Sequence, residues 1–92
     1  MRKILFSNRF ADELEKILAF IAQDKPMVAR EFKNALLNKI NAIPQMPFSY
    51  RKSTANEDDN MRELIFKGFV VVFVVDTDSI NVLGIYKTNI WR

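Results

Sequence analysis

The side chains of this sequence that could do chemistry are cations and phenols rather than thiols or imidazoles. Cys and His are both absent, which removes thiolate nucleophiles, imidazole general bases and the usual zinc and iron ligand sets. The sequence implies neither a metal nor a cofactor. What remains is a scatter of Arg, Lys and Tyr: Arg51 and Lys52 in a polar stretch, Arg62 further along, and Tyr86, Lys87 and Arg92 toward the C-terminal end. Guanidinium and ammonium groups hold phosphate oxygens and stabilise charge developing on them, while Tyr and Lys relay protons when their pKa is suitable. Because these residues are far apart in sequence, only the fold could assemble them into one site.

The chain has 92 residues and a formal charge of +3. That length makes one domain, residues 1–92, with a single two-layer core. Apolar residues are 49% of the chain and eight are Phe, so it is globular rather than disordered. No apolar run approaches the roughly 18 residues of a membrane span, and the apolar run in MRKILFSNRF is too short for a secretory signal. The cytoplasm is the expected location. Mild basicity fits a nucleic-acid or acidic-protein partner and is also common in proteins that bind neither. Acidic residues lie mostly in two groups, Asp12/Glu13/Glu15 and Glu57/Asp58/Asp59, while the end from Lys87 to Arg92 carries only positive charge.

The elements that must position these groups are readable from periodicity. Met61 to Tyr86 predicts three consecutive strands joined by turns at Lys67-Gly68 and Asp76-Thr77-Asp78-Ser79. The middle run is apolar on both pleat faces, with Phe69, Val71, Phe73 and Val75 on one and Val70, Val72 and Val74 on the other, and so belongs at the centre of a sheet. Arg2 to Phe6 predicts a first strand. Ser7 or Asn8 is placed to cap a helix over roughly residues 8 to 23, with Phe10, Leu14, Ile17, Leu18 and Ile21 on its inner stripe. Pro26 starts a second helix with Val28 or Ala29, Phe32, Leu36, Ile40 and Ile43 on one stripe, and Pro44 ends it. The expectation is an α+β fold: an N-terminal strand, an antiparallel helical hairpin and a three-stranded antiparallel meander, with the helices on one face of a four-stranded sheet. Gln45 to Asn60 shows no pattern and reads as a long loop.

This order of elements, carried by FADELEKILAFIAQDKPMVAREFKNALLNKINAIPQMP and MRELIFKGFVVVFVVDTDSINVLGIYK, resembles the RelE/ParE superfamily of bacterial toxins from type II toxin-antitoxin systems. The resemblance spans nearly the whole chain and rests on joint order and spacing. It implies a growth-arresting or plasmid-stabilising toxin held inactive by an antitoxin encoded beside it. Two target chemistries occur in the superfamily: ribosome-dependent cleavage of mRNA, RelE-like, and poisoning of DNA gyrase, ParE-like. Cleavage through the RNA 2′-OH would fall to Arg62, Lys87 and Arg92 as catalytic groups, whereas gyrase binding needs only a surface, for which Arg51, Lys52 and Arg62 are candidates. In RelE-like enzymes an Arg typically follows the aromatic residue that opens the central strand; here Val70 follows Phe69. Those nucleases also carry a basic and aromatic C-terminal extension, for which the resemblance leaves only Lys87, Trp91 and Arg92 as substitutes here; together these departures place the gyrase reading ahead.

Antitoxins of this superfamily offer an acidic segment that wraps the toxin. Phe48, Tyr50, Tyr86 and Trp91 are candidate anchors for it, with Arg51 and Lys87 setting its orientation; completing a small core is the alternative role for such aromatics. A toxin-antitoxin hetero-oligomer is the expected assembly, with gyrase or the ribosome and its mRNA as target and no membrane partner. A toxin that has lost its target, and a basic nucleic-acid-binding module without toxicity, stay open as further readings.

Overall fold

The computed structural model describes residues 1–53 and 58–87. Strand β1 spans Lys3–Phe6, helix α1 Asn8–Ala22, helix α2 Pro26–Asn41, and strands β2 to β5 Arg51–Lys52, Met61–Phe66, Phe69–Val75 and Ser79–Lys87. The strands form one sheet in the order β1-β5-β4-β3-β2. The apolar run of β4 thus lies at the centre, as its two-faced hydrophobicity requires. β2 to β5 pair antiparallel, and β1 runs parallel to β5, with Ile4 opposite Ile80 and Phe6 opposite Val82. The sheet has five strands rather than four because Arg51 and Lys52, expected in a loop, pair with Glu63 and Arg62. Two short 3-10 turns, Ile43–Gln45 and Pro47–Ser49, occupy more of that stretch.

The helices cover one face. Phe10 and Leu14 of α1 and Phe32, Leu36 and Ile40 of α2 meet Leu64, Phe66, Val71, Phe73, Val75, Ile80, Val82 and Ile85 in one core. Ala29, not Val28, lies on the buried stripe of α2. Pro26 opens α2 at its first turn, where the missing N–H is not needed. The β3–β4 turn takes positive φ at both Lys67 and Gly68, the geometry that matches the right-handed strand twist.

One irregularity locks the two layers together. Val72 faces Gly84 and Phe73 faces Val82, so Leu83 is extra and β5 is bulged. The bulge resets the pleat, which lets Ile80, Val82 and Ile85 all face the helices. β1 ends at Phe6, opposite Val82, so beyond the bulge β5 has no strand partner on that side, and α1 supplies hydrogen bonds there instead. Glu13 Oε1 accepts the Ile85 N–H at 2.9 Å. Ser7 Oγ donates to the Leu83 carbonyl at 2.7 Å while accepting the Phe10 N–H at 2.9 Å, so the same hydroxyl caps α1 and ties it to the bulge. A Cβ at position 84 would stand 2.9 Å from Glu13 Oε1, so any side chain there must push the carboxylate aside.

Gly84→Ala should therefore displace the Glu13 carboxylate and lower stability by about 1–2 kcal/mol in urea denaturation, the scale of a charge-assisted hydrogen bond. Most of that loss should vanish in a Glu13→Ala background. Additive losses in the double variant would contradict this account of the bulge.

Candidate functional site

Arg62 lies at the start of β3, on the same face as Leu64 and Phe66, and is clamped to the backbone of Phe48, Tyr50 and Asp59. Its Nε donates to the Asp59 carbonyl at 2.8 Å, and one terminal nitrogen donates to the carbonyls of Tyr50 at 2.9 Å and Phe48 at 3.2 Å. The guanidinium also stacks on the Phe48 ring, 5.0 Å from its centroid. Arg2 approaches the same ring at 5.8 Å while donating to the Asp76 carbonyl at 2.6 Å. A planar guanidinium suits both tasks, since its fork reaches several carbonyls and its face stacks. The arrangement braces the turn at Pro47–Ser49 and the entry to β2 against β3.

The neighbouring candidates divide by role. Arg51 Nε pairs with Glu63 Oε1 at 2.8 Å, its own side chain open to solvent and that of Glu63 only 2% exposed. Lys52 and Asp59 form an exposed pair at 3.1 Å, an interaction of small energetic weight. Tyr50 packs edge-on against Phe73, 5.5 Å between centroids, and closes this end of the core. Of the two aromatics proposed here as anchors, Phe48 is the one that reaches the surface, 49% exposed between two guanidinium groups.

Tyr86 and Lys87 lie at the other end of the sheet. Lys87 pairs with Phe69 across β4 and β5, whereas Arg62 pairs with Phe73 across β3 and β4. The two positions are four residues apart on β4 and flank it on opposite sides, about 13 Å along the strands and about 10 Å across them. The hydrogen bonds of Arg62 hold its charge at the far end from Lys87, so the two do not converge on one phosphate. Trp91 and Arg92 lie outside the described residues. Among the described residues, no group of acidic side chains is placed to hold a metal ion.

Tyr86 and Lys87 instead border a groove of about 650 Å³ between α1 and the ends of β4 and β5, shared with Ile17, Phe20 and Phe69. Phe20 is 74% exposed. Sequence reasoning passed over it because it is off the core-facing stripe; an aromatic ring on the outer side of an amphipathic helix was the available signal. A second trough, about 760 Å³, runs between α1 and α2. No helix among the described residues is long and apolar enough to cross a membrane.

A helical hairpin laid on one face of a mixed five-stranded sheet is the fold expected from the resemblance to the RelE/ParE toxins. A family model described as the ParE toxin of type II toxin-antitoxin system, parDE, matches residues 4–89. The chain belongs to this ParE toxin family. Among solved structures it is similar to a chain of the chromosomal ParDE TA system from P. aeruginosa, with TM-score 0.80 and 17% identity over 97% of this chain and 98% of that one. The conserved hypothetical protein HP0894 from Helicobacter pylori gives TM-score 0.53 at 17% identity, covering 95% of this chain and 94% of that one. A chain of the E. coli DinJ-YafQ complex gives 0.52 at 13% identity, covering 95% and 93%. At such identities these likenesses concern the fold. No curated protein matches the sequence.

If Arg62 is a brace, Arg62→Ala should lower stability by about 1–2 kcal/mol in urea denaturation, and Arg62→Lys should restore less than half of the loss because one ammonium cannot span the carbonyls. An unchanged denaturation midpoint combined with lost toxicity would instead make Arg62 a functional contact.

Proposed function

We propose that this toxin arrests growth by binding DNA gyrase rather than by cutting mRNA, and that a cognate acidic antitoxin neutralises it in a hetero-oligomer. The observation carrying this reading is the separation of Arg62 from Lys87 on opposite flanks and ends of β4. Cleavage through a 2′-OH requires a base, an acid and fixed positive charge within reach of one phosphate. Arg62 is committed to three backbone carbonyls, and Val70, where RelE-like nucleases place an Arg, is buried. A gyrase poison needs no such cluster, only a surface. Arg51 and Lys52, exposed on the short edge strand β2, are the target contacts this reading favours. The match to the ParE family over most of the chain supports the same target.

The test is direct. Purified protein added to gyrase, relaxed plasmid and ATP should block supercoiling or trap cleaved DNA, and translating ribosomes exposed to the same protein should keep their mRNA intact. Normal supercoiling together with mRNA cut in the ribosome would overturn the proposal.

A further inference from the structure

We infer that β1 is a docking edge for a second copy of this chain, the two copies joining their sheets through antiparallel β1 strands. Such a dimer would form whatever the toxin's target. β1 closes one side of the sheet. In a parallel ladder a strand turns the N–H and C=O of alternate residues toward its neighbour. The Lys3 N–H reaches the Asp78 carbonyl and the Ser7 N–H the Val82 carbonyl, so Lys3, Leu5 and Ser7 face β5. The main-chain groups of Arg2, Ile4 and Phe6 therefore point away from the sheet, and among the described residues no turn, cap or side-chain hydrogen bond takes them up. The edge is also apolar, with Leu5 45% and Phe6 46% exposed. Both ends of the extended stretch are fastened before anything binds: Arg2 Nε donates to the Asp76 carbonyl and Ser7 Oγ to the Leu83 carbonyl.

Symmetry and charge select the occupant. A strand that adds to itself about a two-fold axis must be self-complementary, and the pleat allows registers centred on a residue. Centred on Lys3, the pairing sets two ammonium groups against each other. Centred on Leu5, it bonds Ile4 to Phe6 but runs Arg2 into Asn8, the first residue of α1. Centred on Ile4, every outward-facing residue is bonded: Ile4 to its counterpart, and Arg2 to Phe6 of the second copy. Lys3 then lies beside Leu5 of the second copy on the face away from the helices. On the helix face, where Ile4 packs against the core and Phe6 stacks on Phe10, the apolar stem of Arg2 lies beside Phe6 of the second copy. Like charges do not meet. The pairing also closes, because the opposite edge of the sheet, β2, has 2 residues and is too short to propagate an array.

Sedimentation equilibrium of the purified chain over a concentration series, with amide hydrogen exchange on the same samples, tests the inference. The expected result is a reversible monomer–dimer equilibrium, weak because one strand pair buries little area. Exchange at the Ile4 and Phe6 amides should slow as the dimer forms, while that at Lys52 on the opposite edge stays unchanged. Leu5→Lys sets ammonium groups opposite Lys3 twice over by symmetry and should weaken association about tenfold. Leu5→Glu meets Lys3 with opposite charge and should associate about tenfold or more tightly than Leu5→Lys. Because Leu5 is exposed, folding of both variants is verified by retained amide dispersion. A monomer at every concentration would overturn the inference. So would protection at Ile4 and Phe6 that appears only on adding the short acidic protein encoded beside the gene, which would give the edge to that partner. A dimer whose exchange slows elsewhere, or in which Leu5→Lys and Leu5→Glu act alike, would overturn it as well.

Discussion

The carboxylate of Glu13 decides how the two layers of this protein fit. Beyond the bulge in β5 an N–H points past the end of β1, where no strand remains to pair it, and an unpaired buried amide costs about 1–3 kcal/mol. Glu13 reaches from α1 to accept that N–H, and Ser7, the N-cap of the same helix, both accepts and donates. The helix is thereby fixed in rotation and height over β5. From that follow the burial of Phe10 and Leu14, the outward placement of Phe20 and the shape of the groove beside Tyr86 and Lys87. The absence of a side chain at Gly84 is part of the same constraint.

A second consequence concerns charge. In a domain this small the cations are drawn into structural duties, and where they end up limits the chemistry that remains. Arg62 stabilises the carbonyls of a segment with few ladder bonds, and Arg2 helps enclose Phe48 from the opposite strand edge. Arg51 compensates the carboxylate of Glu63, which the sheet buries. Lys16 and Lys87 are held beside an apolar groove, and Lys52 meets only an exposed acid. Charges arranged in this way suit steering and orientation of macromolecular partners rather than stabilisation of one transition state.

Much of the architecture was legible because its elements are strongly periodic. The double-faced run from Phe69 to Val75 located the sheet centre, and the stripes through Phe10 and Leu14 and through Phe32, Leu36 and Ile40 located the helices. The bulge was not legible. Alternation from Ile80 and Val82 continues inward to Gly84, and nothing local announces that Ile85 turns inward instead; the partner that stabilises this choice is far away in sequence, on α1. Arg51 and Lys52 were read as loop because a two-residue edge strand carries no period. Arg62 falls in a strand by periodicity, but its carbonyl partners lie in a stretch without a sequence pattern, so its bracing role had no sequence signature. Tyr50 illustrates the limit for aromatics: its composition suits a surface anchor and a core plug equally, and only the contact with Phe73 decides.

The central claim is that this toxin works through surfaces and not through a catalytic cluster. Mapping new RNA 5′ ends across the transcriptome, minutes after inducing the protein without its antitoxin and with growth recorded in the same culture, tests it most directly. Growth arrest without new ends at codon-phased positions inside translated regions is the predicted result. Arrest accompanied by such codon-phased ends would contradict it and would require Lys87, or groups outside the described residues, to act on RNA.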